Sequence, residues 1–393
     1  MKYYGLKWFH SVFHGHITQT NQTLIMKKTA MLIGLAAVLG FSSNAQAVDW
    51  NWKGDIRYRY QSQLKDDGVS STDEHSKDRN RIRVRIGADM WINEELAAGF
   101  GLATGSDTDP VSRNETLGDL FNQDGIYLNE AFIDYHPMFL NGDVNLIMGK
   151  RYASKTLTVM DDLIWDGDVT LEGITLQYGK DAKGKEKDGL CTNAGYYLYK
   201  DADSYTGQVA YILAAQASYK GKVSDLNYQA GASYFDYQSY VDATRDYNIV
   251  ELFGNVGGKV SSLPWKLYGQ YAFNTANHSD YSNITDAKRD AYLVGVKLGK
   301  AKNPGQLEGS VEYIRLEKDA VNPFMTDSDR GDLTKISSFL TNVEGFKVGA
   351  KYALIQNMDL GVTYFNTGYI DVPVGTSSDW RGHLVQLDAV VKF

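Results

Sequence analysis

The last thirteen residues, Arg381 to Phe393, alternate between apolar and polar positions with period two. Val385, Leu387, Ala389, Val391 and Phe393 fall on one parity, and Leu384, Gln386, Asp388, Val390 and Lys392 on the other. Successive side chains of a strand point to opposite faces, so this stretch predicts a strand with one continuous apolar face and one mostly polar face. The pattern recurs. Ile82, Val84, Ile86, Ala88 and Met90 oppose Arg81, Arg83, Arg85 and Asp89, and Phe346, Val348, Ala350, Tyr352 and Leu354 oppose Lys347 and Lys351. Val209, Tyr211, Leu213, Ala215 and Ala217 share a face, as do Met358, Leu360, Val362 and Tyr364. Sixteen strand-like segments are predicted, at 50–64, 79–92, 95–105, 126–137, 143–151, 168–180, 190–200, 206–220, 223–238, 246–261, 264–277, 288–300, 305–317, 344–355, 357–371 and 381–393. Alternation is weak in 168–180 and 190–200, which rest on flanking turn residues instead.

The joins between these segments alternate in length. After even-numbered strands they are mostly short, around Asn93-Glu94, Phe139-Asn141, Gly221-Lys222, Ser262-Leu263 and Gln356-Asn357. After odd-numbered strands they are mostly long and polar, at 65–78, 106–125, 152–167, 239–245, 278–287, 318–343 and 372–380. The join at 181–189 breaks the rule, being too long for a tight turn. A soluble β-sandwich gives turns every 8–12 residues without this alternation. An even strand count with short turns at one end and long loops at the other is the layout of a transmembrane barrel whose termini are both periplasmic. The predicted fold is therefore all-β, a transmembrane antiparallel up-and-down barrel of about sixteen strands. Sixteen strands enclose a water-filled lumen, whereas eight would leave a packed interior.

The other end of the chain points the same way. Met26-Lys27-Lys28 is a basic start, Thr29 to Phe41 an apolar run, and Ser42 to Ala47 ends in small residues, with Ala45 and Ala47 at the cleavage positions. This is a secretory signal peptide, too short to remain as a spanning helix. Residues 1–25 hold three of the seven histidines and no recognisable element, and read as a non-native upstream extension. The expected organisation is 1–25 extension, 26–47 signal peptide and 48–393 a single barrel. Removing the first 47 residues, which carry four lysines and no acid, leaves 36 bases against 48 acids, a formal charge of −12. That balance excludes a nucleic-acid binder. The single cysteine, Cys191, excludes an internal disulfide and reads as a packing residue. No apolar run after the signal is long enough for a helical span, but a barrel escapes that test because half of each strand faces water.

The signal peptide, sixteen strands, terminal Phe393 and conspicuous fifth join together resemble a Gram-negative outer-membrane porin. Texture sharpens the match to the porin family of gamma-proteobacteria: W-N-W-K-G-D-I-R-Y-R-Y at 50–60, R-N-R-I-R-V-R-I-G at 79–87 and I-M-G-K-R at 147–151. The resemblance spans 48–393. It implies an outer-membrane location among lipid and lipopolysaccharide, passive diffusion of small hydrophilic solutes, no cofactor and commonly a homotrimer. It also implies that the loop after strand five, Tyr152 to Gly167, folds into the lumen as a constriction. Phe393 resembles the signal read by the barrel-assembly machinery.

Charge placement supplies the candidate pore lining. Arg79, Arg81, Arg83 and Arg85 stand on one strand face, and Arg57 and Arg59 on one face of strand one. An outward arginine at mid-bilayer costs about 2–4 kcal/mol, so apolar faces toward lipid put these arginines in the lumen. Asp161, Asp162 and Asp166 lie in the fifth join, Asp168 just after, and Glu130 and Asp134 alternate in strand four. A basic wall facing an acidic loop would set a transverse field across the pore. The bland alternative is that the charges pair locally and only solubilise the lumen.

Other motifs carry less. Asp107/Asp109, Asp201/Asp203 and D-S-D-R-G-D at 327–332 have calcium-like spacing but no full loop with a closing Glu, and read as solvated loop acids. The run at 254–260 fails as a phosphate loop, because Phe253 stands at the first Gly position and Val260 follows Lys259. His75, His136, His278 and His383 show no arrangement suited to nucleophilic catalysis. Trp50, Trp52, Trp91, Trp265 and Tyr271 suit interfacial girdles. The function expected is a non-enzymatic diffusion channel. The competitors are a barrel lipase or protease, which the strand count disfavours, and a surface adhesin or receptor using the loops at 106–125 and 318–343.

Overall fold

The computed structural model describes residues 48–66, 75–181, 184–200, 209–238, 247–276, 288–331, 341–372 and 381–393. The expected extension, signal segment and cleavage residues Ala45 and Ala47 lie outside them. Asp49–Phe393 form one unit.

Sixteen long strands run through it in sequence: β1 Asp49–Asp66, β2 His75–Asn93, β3 Leu96–Thr104, β4 Ile126–Tyr135, β5 Val144–Tyr152, β6 Thr170–Tyr178, β7 Gly189–Lys200, β8 Ala210–Val223, β9 Leu226–Gln238, β10 Asn248–Val260, β11 Leu263–Asn274, β12 Asp290–Gly299, β13 Leu307–Leu316, β14 Val343–Ile355, β15 Met358–Tyr369 and β16 Arg381–Lys392. Each pairs antiparallel with its neighbours in sequence, and β1 also pairs with β16, so the sheet closes. The two-residue piece Glu115–Thr116 adds a short pairing to β2. Closure leaves no edge strand to satisfy, which is what a sheet in lipid requires. The seam is completed by the chain end: the Phe393 N–H donates to the Gly54 carbonyl at 3.1 Å, and the Gly54 N–H to the Phe393 carbonyl at 2.9 Å.

Alternation separates the faces as the pattern requires. On β1, Ile56 is 50 % exposed and Arg57 9 %. Phe346, Val348, Tyr352 and Leu354 point outward from β14, and Leu387, Val391 and Phe393 from the chain end. A soluble monomer does not leave apolar rows exposed around its whole circumference, but a barrel immersed in lipid does. Trp52 and Tyr271 are exposed among them.

The turns fall close to the expected places, with small shifts. Strands β8 and β9 continue through Gly221 and Lys222 to a turn at Ser224-Asp225, and β10–β11 turns at Ser261-Ser262. Ser224 and Ser261 take positive φ (51° and 57°), the conformation that tightens these reversals. The long join after β6 folds inward. Lys180 bridges Glu186, whose carboxylate accepts from Thr158 Oγ1 at 2.8 Å and from Gln229 Nε2 at 2.9 Å. Its length thus serves contact with the segment after β5. Cys191 is buried, its Sγ 3.3 Å from the Gly179 carbonyl, in keeping with a packing role. The run 254–260 lies within β10, where a Cβ on Gly257 would come within 2.8 Å of the Trp265 carbonyl oxygen.

Candidate functional site

The inward faces of β1, β2 and β16 form a charged wall. Register sets Arg57 opposite Arg83, Arg59 opposite Arg81, and Asp55 opposite Arg85. Like charges directly opposed destabilise a ladder, so neighbouring acids must offset them. Asp55 accepts from Arg83 Nη2 at 2.7 Å and from Arg85 Nε at 2.6 Å. Asp388 on β16 takes both Nε and Nη2 of Arg59, at 2.7 and 2.8 Å, the bidentate geometry a guanidinium favours. Arg81 shares this inward face and is half-buried. Arg57 differs: its Nη2 donates to the Asn114 side-chain oxygen, its Nε is buried without a partner, and no carboxylate among the described residues pairs with it.

Two loop segments lie across from this wall. The first follows β5: a helical turn, α1 at Ala153–Thr156, then 157–169. Its Leu157, Leu163, Ile164 and Trp165 are almost fully buried in one cluster with inward residues of β7 to β13, Trp165 packing edge-on to Phe235 at 5.3 Å. Gln216 of β8 accepts from the Thr158 N–H at 2.8 Å. Apolar anchors thereby hold the segment against the wall far from the arginines and turn its acids the other way. Asp161 pairs with Lys297 of β12 at 3.3 Å, and Asp168 with Arg85 at 3.3 Å.

The second segment follows β13 and includes a short helix, α2 at Ser328–Gly331. It is tied to the first through the Thr326 hydroxyl on the Leu163 carbonyl (2.9 Å), the Asp166 N–H on the Met325 carbonyl (2.6 Å) and the Asp327 N–H on the Asp162 carbonyl (3.4 Å). Asp327 and Asp329 are therefore not the solvated loop acids their composition suggests. Asp327 is 5 % exposed and Arg330 1 %, and Arg330 pairs with both Glu312 and Asp327. Asp329 reaches Arg59 at 3.4 Å. Among the described residues no cluster could hold a metal ion. Asp201, Asp203 and Asp332 lie outside the described residues.

Burial and mutual repulsion raise the loop carboxyls. Asp162 is pushed up to about 6 by burial, with Asp161 adding to the shift and Lys347 opposing it. Asp327 is pushed up to about 7 by burial, with Asp329 and Asp162 adding and Lys347 opposing. Asp166 is raised well above the usual range by burial and then by Asp162 and Asp327. Asp161 is held low by Lys347 and Lys297 despite its burial.

A cavity of about 280 Å³ lies between the wall and the two loops, bordered by the wall arginines and by Asp162, Asp166, Asp168, Asp327 and Asp329. A second, of about 360 Å³, lies toward the chain end, bordered by Asp161, Lys297, Lys351, Asp359 and Lys392. Arg57, Arg83, Lys347 and Thr363 border both. Glu130 and Asp134 point inward from β4 but border neither. They are 5 % and 3 % exposed, Asp134 paired with Arg151 at 3.0 Å and Glu130 against the Tyr152 N–H at 3.4 Å. Nothing in the sequence marks Asp55, Asp388, Lys297 and Lys347 as partners, or the loop after β13 as packing against the one after β5, although Val321 and Met325 are an apolar hint within it.

A family model described as "Putative porin" matches residues 42–264, more than half of the chain. The chain belongs to this porin family. No curated protein sequence matches it significantly. Among solved structures, this porin is similar to OprB of Pseudomonas putida (10 % identity, 87 % of this chain and 94 % of that one, TM-score 0.56). It is also similar to the outer membrane channel DcaP of Acinetobacter baumannii (16 %, 90 % and 99 %, 0.52) and to OmpF of Salmonella typhi, solved with daunomycin (13 %, 88 % and 97 %, 0.52). At these identities the likeness establishes a shared fold, that of an outer-membrane barrel.

Proposed function

We propose that the protein is a non-enzymatic channel for passive diffusion of small hydrophilic solutes and ions, narrowed by the segment after β5. The supporting observation is the pair of polar cavities meeting at Arg57, Arg83, Lys347 and Thr363, inside a closed sixteen-strand barrel. Water fills a lumen of this strand number, and charged linings let hydrated solutes enter without a large desolvation cost. Wall arginines and loop acids border the first cavity together, with Asp168 paired to Arg85 and Asp329 to Arg59, and a transverse field from the charges left over is the reading proposed for it. Much of the wall charge is compensated by Asp55 and Asp388, so the field arises from the residual imbalance rather than from the arginine count. A homotrimer is the assembly proposed with it, as the family resemblance implies.

Osmotic swelling of liposomes holding the mature barrel tests the function. Small sugars should enter at rates falling steeply with size. A barrel that is folded, by its heat-modifiable mobility, yet admits no solute and carries no ion current would refute the channel.

A further inference from the structure

Arg57 stands out within the wall. Arg59, Arg83 and Arg85 each pair with a carboxylate within 2.7 Å, whereas among the described residues Arg57 has only the Asn114 amide oxygen on one nitrogen and nothing on its Nε. It is 91 % buried, lies opposite a second arginine, and borders both lumen cavities. Three of the four residues shared by the two cavities are cations, while the acids lie on one side or the other. A buried guanidinium without a counter-ion costs free energy that a bound anion would offset. We propose that the lumen holds a binding site for a small carboxylate-bearing solute, with Arg57 as its principal ligand. This rests on the channel proposed above and names the solute class it takes.

The choice of anion follows from the donor geometry. A guanidinium is a planar fork that matches a carboxylate through two parallel hydrogen bonds, whereas lysine acts as a point charge. The 280 Å³ cavity is close to the lower end of the roughly 300–1,000 Å³ typical of small-molecule sites, so the solute is small. An open lumen with such a site would concentrate carboxylates there and still release them, because a single guanidinium is the principal hold.

Equilibrium dialysis of the detergent-folded barrel against radiolabelled succinate or inorganic phosphate tests the site independently of conduction. Succinate should bind saturably and more tightly than phosphate, and unlabelled succinamide, its neutral counterpart, should not displace it. Arg57→Gln should weaken succinate about tenfold or more, the effect of losing a charge-assisted hydrogen bond. Arg57→Lys should restore part of that loss. The wild-type comparison of succinate with succinamide stands even if Arg57→Gln does not fold. Displacement by succinamide, equal binding to the folded Arg57→Gln barrel, or no saturable binding of either anion would overturn the site; phosphate binding more tightly than succinate would overturn the carboxylate assignment. Planar-bilayer conductance separates the two proposals. Current without succinate binding leaves the channel standing and removes the site; binding without current does the reverse.

Discussion

The backbone N–H of Asp327 donates to the carbonyl of Asp162 at 3.4 Å, joining the loop after β13 to the loop after β5 across more than 160 residues of sequence. Lys347 lies between their carboxylates, 3.9 Å from Asp162 and 3.8 Å from Asp327. One lysine cannot neutralise both acids together with nearby Asp166. The acidic side of the lumen is thus a shared structure of two loops rather than the property of one.

The raised carboxyls make the channel's charge depend on pH. Asp162 titrates at about 6 and Asp327 at about 7, so both are largely protonated at pH 5 and ionised at pH 8. Arg330, Lys347, Lys297, Asp161 and Asp329 are the charged groups that face them. Reversal potentials in a salt gradient should move toward cation preference as pH rises from 5 to 8, and Asp162→Asn with Asp327→Asn should flatten that dependence. The stability sign is opposite. A raised folded-state pKa favours the protonated form, so the contribution of these acids to loop packing is full below the unfolded value and is lost as pH rises through 6 to 7.

Arg330 should be structurally costly to remove. It is almost fully buried, with Glu312 and Asp327 against it. Arg330→Ala leaves buried Glu312 without its cation and Asp327 with Lys347 alone, a loss of about 3–5 kcal/mol. The urea midpoint of the folded barrel should fall, and Glu312→Gln in the same chain should recover part of the loss.

The chain end should matter for closure. Phe393 makes both backbone hydrogen bonds to Gly54 and ends the outward row that includes Leu387 and Val391. Deleting Phe393 should lower the yield of heat-modifiable barrel in outer membranes. Undiminished yield would remove its role as an assembly signal.

Processing should occur after Ala47, giving a mature chain that begins at Val48. N-terminal sequencing of outer-membrane material checks this, and a start upstream of Met26 would contradict it.

The strands were legible because period two is a one-dimensional property. A row such as Ile82, Val84 and Ile86 against Arg81, Arg83 and Arg85 needs no knowledge of its neighbours. Turn positions were less so: Gly221 and Ser224 are both good turn residues, and the β8–β9 register, which the sequence does not display, puts the reversal at the serine. The site was legible on its basic side, where parity places the arginines inward. It was not on its acidic side. Whether Asp327 meets water or Arg330 depends on how a loop folds back into the lumen, and polar composition describes both outcomes equally. Glu130 and Asp134 show the same limit, since inward parity does not distinguish a side chain bordering the open path from one closed against Arg151 and the Tyr152 backbone.

The central claim, that solutes pass between the arginine wall and the acidic loops, is tested most directly by reversal potentials of two variants in planar bilayers at low salt. Arg83→Glu with Arg85→Glu should shift the preference toward cations, and Asp161→Asn with Asp162→Asn toward anions. Both shifts should shrink at 1 M salt, where the screening length falls to about 3 Å. If neither pair moves the reversal potential in barrels that still assemble, the conducting path does not run between these residues.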